Sequence, residues 1–204
     1  MVNIRTYHNC KRLLDIILAY LIWILFSPLL LMVFLAVKLT SPGPGFYKWQ
    51  VVGEKGRYFA GFKFRSMYQN ADEIKAKLMN HNEMTGPVFK MTNDPRVTPL
   101  GRILRKFSID ELPQLYSVIN GDMSLVGPRP PLQSEYEHFT EWQKQKLTVK
   151  PGITCLWQTI GRTDVIDFNE WVKLDLEYIK NRCIGLDIKI LFDTIKSVIR
   201  GTGK

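Results

Sequence analysis

Cysteine and histidine are scarce, with three of each in 204 residues. Cys10, Cys155 and Cys183 form no CxxC pair, and His8, His81 and His138 stand at no metal-ligand spacing to one another or to the cysteines. A disulfide framework and a zinc site are therefore excluded. The thiols are expected to be reduced and structural, as suits a chain whose bulk lies in the cytosol. Internal repeats and low-complexity tracts are absent, and the length suits one domain with an appendage. Acidic residues are the next shortage: 19 Asp and Glu stand against 28 Lys and Arg, a formal charge of +9. Anionic partners are expected. Nucleic acid is disfavoured, because acids interleave with the basic residues throughout.

Charge is missing altogether over 16–37. At about 1.5 Å per residue this run extends roughly 33 Å as a helix, enough to cross the hydrocarbon core. It is too long for a signal-peptide core, and no small-residue cleavage site follows it. Two features complicate a simple span. Ser27-Pro28 sits mid-run, where proline removes a hydrogen bond, meets the carbonyl of Ile24 and kinks or breaks a helix. Ser27 is able to bond backbone that the proline frees. Basic residues also flank both ends: Arg5, Lys11 and Arg12 before the run, and Lys38, Lys48, Lys55, Arg57, Lys63 and Arg65 after it. Such clusters ordinarily mark the cytoplasmic side of a span, and here they mark both ends. A helix that dips in, turns at Ser27-Pro28 and returns to the same face satisfies both flanks; the residues alone leave re-entrant and spanning helices open. Asp15 is expected to pair with Lys11 or Arg12 at helical spacing, or to be a solvated helix-end charge.

Beyond the turn residues of 40–45, Phe46–Val52 and Tyr58–Phe64 are aromatic and β-branched runs around Gly53-Glu54-Lys55-Gly56, the pattern of a β-hairpin. Polar helix is expected over 68–83 and a short basic helix over 102–107. Three further helices are expected over 139–147, 168–180 and 186–200. Phe168, Trp171, Val172, Tyr178 and Ile179 recur at helical intervals with lysines between them, which suits a core face or a lipid interface.

The densest polar cluster is RILRKFSIDELPQL at 102–115, followed by NGDMSLVGPRPP at 120–131. Ser108 and Glu111 have the spacing of a capping box, and Asp110 is itself a potential cap ahead of Pro113. The competing reading is chemical. Arg102, Arg105 and Lys106 upstream and Arg129 downstream are placed to gather phosphates around a carboxylate. Of two adjacent carboxylates, one can attack phosphorus or hold Mg²⁺ while the other orients it. Lys63 and Arg65, two apart at the end of the hairpin, share a strand face and add phosphate contacts.

The ordered set KFRSM at 63–67, NDPRVTPLGRILRK at 93–106, SIDELPQL at 108–115, NGDMSLVGPRP at 120–130, KPGIT at 150–154 and LDIKIL at 186–191 resembles the bacterial sugar transferase family, the monotopic phosphoglycosyl transferases. The resemblance implies transfer of a sugar 1-phosphate from a UDP-sugar to polyprenyl (undecaprenyl) phosphate with release of UMP, the first membrane step of polysaccharide or glycoconjugate assembly. It implies Asp110 as nucleophile of a covalent phosphosugar intermediate and as a Mg²⁺ ligand, with Glu111 as its dyad partner. Arg65, Arg105 and Arg129 match the family's basic positions, with Lys63 beside them as a substrate-binding residue. Ser27 and Pro28 match its membrane break, which implies a re-entrant helix and a catalytic face on the cytosolic side of the bacterial inner membrane.

The resulting expectation is an α/β fold, mainly helical. Residues 1–40 form a re-entrant membrane helix broken at Ser-Pro, and residues 41–204 a compact catalytic domain with a small β-hairpin and amphipathic interfacial helices. The length suggests a minimal catalytic unit, and a homodimer at the membrane surface is compatible with it. One departure lies in PGITCLWQTIGR at 151–162, where the family commonly has Gly after the Thr and this chain has Cys155; a positive φ there strains a cysteine. The rival readings are a non-enzymatic membrane-anchored module that binds anionic lipid or nucleic acid, and a single-span protein in which Asp110 and Glu111 only cap a helix.

Overall fold

The computed structural model describes residues 4–160 and 165–203. Helix α1, Ile4–Thr40, takes the uncharged run and its basic approach into one continuous helix with Pro28 inside it. The expected break at Ser27-Pro28 does not interrupt the helix. Proline lacks the N–H that would bond the carbonyl of Ile24 four residues back, and the Ser27 hydroxyl donates to that carbonyl at 2.8 Å instead. The middle of α1 faces away from the protein, with Ile24 70% and Leu25 73% exposed. Among the described residues it is the one helix long and apolar enough to cross a membrane.

Both ends of α1 are held by the rest of the chain. Near its start Arg12 donates to the carbonyls of Val118 and Ile119 at 2.6 and 2.8 Å, and Lys11 pairs with Asp187 at 3.0 Å. Asp15 is buried and accepts from the Leu125 amide at 3.1 Å. It is therefore neither paired along the helix nor solvated, because Lys11 and Arg12 are drawn to partners on distant segments. At the other end the Arg65 guanidinium donates to the carbonyls of Val37, Ser41 and Pro42 at 3.2, 2.7 and 2.5 Å. A cation there suits the negative end of the helix.

Strands β1, Phe46–Val52, and β2, Tyr58–Phe64, form the expected antiparallel hairpin. Helix α2, Ala71–Leu78, is shorter than expected, for Asn82 Oδ1 accepts from the amides of Met84 and Lys90 and turns the chain away. Helix α3, Pro99–Lys106, begins earlier than expected. Thr98 caps it by accepting from the Gly101 amide at 2.9 Å, and Pro99 fits its first turn. Then come α4, Leu115–Asn120, and β3, Ser124–Val126, followed by the single turns α5, Gln133–Tyr136, and α6, Glu141–Lys144. The helix expected over 139–147 is thus split, its second part being a 3-10 turn, Gln145–Thr148. Strand β4, Gly152–Thr154, pairs parallel with β3. Helices α7, Leu156–Ile160, α8, Phe168–Asn181, and α9, Ile184–Arg200, complete the chain.

One core cluster joins α1 to α4, β3, α8 and α9 through Ala19, Val118, Met123, Leu125, Tyr178 and Ile190. A second gathers Met84, Phe139, Cys155, Trp157, Phe168 and Trp171, with the two indoles stacked 4.1 Å apart. The apolar face of α8 is core. Beside it Lys146 and Asp175 form a buried ion pair at 2.7 Å, the lysine 4.9 Å from the Trp171 ring centre. A third, smaller cluster packs Val33 and Val37 of α1 on Phe64 and Leu104.

Candidate active site

The chain leaves α3 through Ser108, whose φ of 53° is left-handed, and enters a 3-10 turn, Ile109–Gln114, that carries Asp110, Glu111 and Pro113. The capping box allowed by the spacing is not made: Ser108 forms no side-chain cap bond. A cap needs extended backbone at that position. Both carboxylates are turned to other surroundings. Asp110 is 6% exposed. Glu111 Oε1 accepts from Lys63 Nζ at 2.8 Å and lies 4.0 Å from the Arg129 guanidinium.

Each cation reaches this turn from a differently anchored element. Lys63 comes from the end of β2, its Nζ 4.9 Å from the ring centre of Trp49 on the paired strand. Arg105 comes from α3 and donates through Nε to Ser66 Oγ at 3.0 Å. That contact depends on Gly101, where a Cβ would stand 2.0 Å from the Ser66 carbonyl oxygen. Arg129 lies in a loop held at three points: Gly127 donates to Thr154, Gly152 to Pro128 and Val52 to Pro131, at 3.0, 2.9 and 3.0 Å.

Burial raises the Asp110 carboxyl above the ordinary aspartate range, and Glu111 raises it further; Lys63 and Arg105 pull it back only in part. Such a carboxylate is poorly solvated and held among fixed cations, which suits a nucleophile toward phosphorus. Among the described residues no three metal-ligating side chains gather. The carboxylate pair nevertheless fits Mg²⁺, which needs one or two carboxylates and takes its other oxygens from water and substrate phosphates.

Lys63, Arg105, Asp110, Glu111 and Arg129 are therefore brought to one turn. Arg65 is not: β2 ends at Phe64, and the Arg65 guanidinium is spent on the carbonyls of Val37 at the end of α1 and of Ser41 and Pro42 just beyond it, and on Ser41 Oγ at 2.8 Å. The shared strand face expected for Lys63 and Arg65 is lost at that point. Ser27 and Pro28 belong to the exposed middle of α1.

The profile described as bacterial sugar transferase matches residues 6–201. The chain belongs to the bacterial sugar transferase family. It is 53% identical over 161 residues to the galactosyl transferase CpsE of Streptococcus agalactiae, an alignment covering 79% of this chain and 36% of the relative. It is 44% identical over 204 residues to the undecaprenyl-phosphate galactose phosphotransferase of Salmonella typhimurium, covering 98% of this chain and 42% of that one. The exopolysaccharide production protein ExoY of Rhizobium meliloti is 39% identical over 197 residues, covering 95% of this chain and 87% of ExoY. The chain thus spans less than half the length of the first two relatives.

Within this sugar transferase fold Cys155 is not strained. Positive φ is confined, among the described non-glycine residues, to Lys55 and Ser108. Cys155 is buried in the second core cluster, its amide donating to Gln158 Oε1 at 3.2 Å. Gly161 and Arg162 of the same loop lie outside the described residues. Two contributors escaped the reading of the sequence. Ser66, inside KFRSM, joins β2 to α3 and carries no signal of that role. Trp49 was detectable, since hairpin register sets it opposite Gly61 on the face that bears Lys63.

Proposed function

We propose that this chain transfers a sugar 1-phosphate from a UDP-sugar to polyprenyl phosphate and releases UMP. The acceptor is undecaprenyl phosphate, as the name of the Salmonella relative states for that protein, and the product opens assembly of a polysaccharide or glycoconjugate. One observation carries the reading: Asp110 is a buried carboxylate that caps no helix and sits with Glu111 among Lys63, Arg105 and Arg129.

In the first step an Asp110 oxygen attacks the β-phosphorus of the donor. The new bond joins phosphorus to the carboxylate, and the broken one sends its electron pair away on the UMP phosphate. In the second step a phosphate oxygen of the lipid attacks the same phosphorus and the Asp110 carboxylate leaves. Arg105 and Arg129 bind phosphate oxygens as charge shifts among them. Lys63 orients Glu111, and Glu111 keeps Asp110 directed at the substrate. Asp110 is the residue that would hold Mg²⁺, and the ion would supply neutralisation of charge on the leaving phosphate. Arg65 acts at a distance by fixing the end of α1.

Residues 1–40 are the membrane-inserted part of this design and 41–204 the catalytic part, on the cytosolic face of the inner membrane. The re-entrant reading is supported by the anchoring of both ends of α1 to one domain, through Lys11, Arg12 and Asp15 at one end and Arg65 at the other. A transmembrane course would tear one set away. On α9, Ile188, Phe192, Ile195 and Ile199 form an exposed apolar row that suits the lipid interface.

The test is release of UMP from a panel of UDP-sugars together with capture of labelled phosphosugar on the protein. Wild type should do both, and Asp110→Asn neither, while still binding membrane. Full turnover by Asp110→Asn removes the nucleophile assignment. Absence of UMP release from every donor with the wild type returns the chain to a non-enzymatic anchor.

A further inference from the structure

A cavity of about 220 Å³ opens beside the start of α1. None of Lys63, Arg105, Asp110, Glu111 or Arg129 lines it, so it is separate from the carboxylate pair. Its walls carry four cations, Lys11, Arg12, Lys150 and Arg182, against the two acids Asp15 and Glu54. Lys11 is committed to Asp187, and Arg12 to the carbonyls that end α4. The other two make no ion pair among the described residues.

Two details show that this charge converges. Lys150 Nζ and Arg12 Nη2 lie 3.7 and 3.4 Å from the point where a Cβ on Gly121 would sit, so both crowd the end of α4. Arg182 donates through one terminal nitrogen to the Ile179 carbonyl, while its Nε is buried with no hydrogen-bond partner. Arg182 itself lines the cavity and brings its charge to that wall. The hydroxyls of Tyr7 and Tyr178, both already on Asp187, close the wall behind it.

Position within the fold identifies the anion. Lys11 and Arg12 precede Ile16, where the uncharged run begins, by little more than one helical turn. With the run in lipid, the cavity lies at headgroup depth, where basic pockets beside membrane helices hold lipid phosphates. We propose that this cavity binds the phosphate of an anionic membrane phospholipid and seats the start of α1 at the interface. Polyprenyl phosphate is not the occupant, since its phosphate must reach Asp110. The inference rests on α1 lying in the membrane; only the exclusion of polyprenyl phosphate draws on the reaction proposed at Asp110.

The full chain in neutral detergent is offered phosphatidylglycerol, phosphatidylcholine, glycerol 3-phosphate or inorganic phosphate, with bound lipids counted by native mass spectrometry and melting followed in parallel. Wild type should retain phosphatidylglycerol over phosphatidylcholine by about tenfold or more. Lys150→Gln with Arg182→Gln should lose that preference, whereas Lys150→Arg and the distant Lys77→Gln should keep it. If the double variant does not fold, Lys150→Gln alone is read, with a preference reduced about threefold or more. No preference in wild type, or an unchanged one in the glutamine variants, overturns the proposal. A rise in melting with glycerol 3-phosphate or inorganic phosphate equal to that with the lipid overturns the lipid assignment and makes the cavity a site for soluble phosphate. Lipid counting needs no turnover, so failure of the proposed reaction and failure of this site are told apart.

Discussion

A methyl group placed on Gly101 is the smallest change that tests how the carboxylate turn is held. Its Cβ would stand 2.0 Å from the Ser66 carbonyl oxygen, 2.7 Å from the carbonyl carbon and 2.9 Å from Cα, whereas ordinary contact begins at 3.4 Å. These atoms are backbone and cannot swing aside, so α3 must retreat by about 1.4 Å. The Thr98 amide bond to that carbonyl and the Arg105 bond to Ser66 Oγ, both 3.0 Å, are then stretched beyond hydrogen-bonding range. Alanine returns about 1 kcal/mol of helix propensity. Against it stand two hydrogen bonds at about 1 kcal/mol each and overpacking of about 1–3 kcal/mol. The net loss is about 2–4 kcal/mol, a fall of about 4–16 °C in melting temperature for a chain of this size. Arg105 moves with the helix, and a displacement near 1 Å costs about 100-fold in rate. Thermal denaturation and UMP release from the preferred UDP-sugar measure the two effects. Wild-type melting and turnover in Gly101→Ala would refute the claim that this contact sets the position of Arg105.

Because burial and Glu111 raise the Asp110 carboxyl above its unfolded value, its ionised form costs folding free energy once pH exceeds the ordinary aspartate range. Asp110→Asn should therefore melt above wild type at neutral pH, the gap closing as pH falls from the raised value of the folded carboxyl down to the ordinary aspartate range, while wild-type UMP release rises with pH as the nucleophile ionises. Burial also raises the Asp175 carboxyl, held against Lys146. Lys146→Met should cost about 3–5 kcal/mol in denaturant unfolding, and adding Asp175→Leu should recover most of it. For topology, cysteines placed before Arg5 and after Thr40, in a background freed of the exposed Cys10 and Cys183, should be labelled from the same side of sealed vesicles. Labelling from opposite sides disproves the re-entrant course.

The hairpin could be read from the sequence residue for residue, because alternating aromatic and β-branched runs around a glycine turn are local information. The apolar face of α8 was equally visible as a period, though the period left core and lipid interface open. Strands β3 and β4 were not, since three residues are too few to show alternation and their partners lie far apart in the chain. The fate of Asp15, Lys11 and Arg12 escaped for a related reason: their partners are Leu125, Asp187 and the end of α4, beyond any spacing rule. At the site, Lys63, Arg105, Asp110, Glu111 and Arg129 were marked by family motifs and then found together. Spacing alone favoured a cap at Ser108, and only its left-handed backbone decides against one. Arg65 was misplaced because the end of a strand is invisible in a pattern two residues long.

Arg65 also joins two parts of the molecule, beside the packing of Val33 and Val37 on Phe64. Two positions separate it from Lys63, so one short rod of backbone grips the last turn of α1 at one end and Glu111 at the other. On the proposed re-entrant course, a change in how deeply α1 sits in the lipid would pass through this rod to the carboxylate pair. The same chain should run at different rates in thin and thick membranes that present identical substrates.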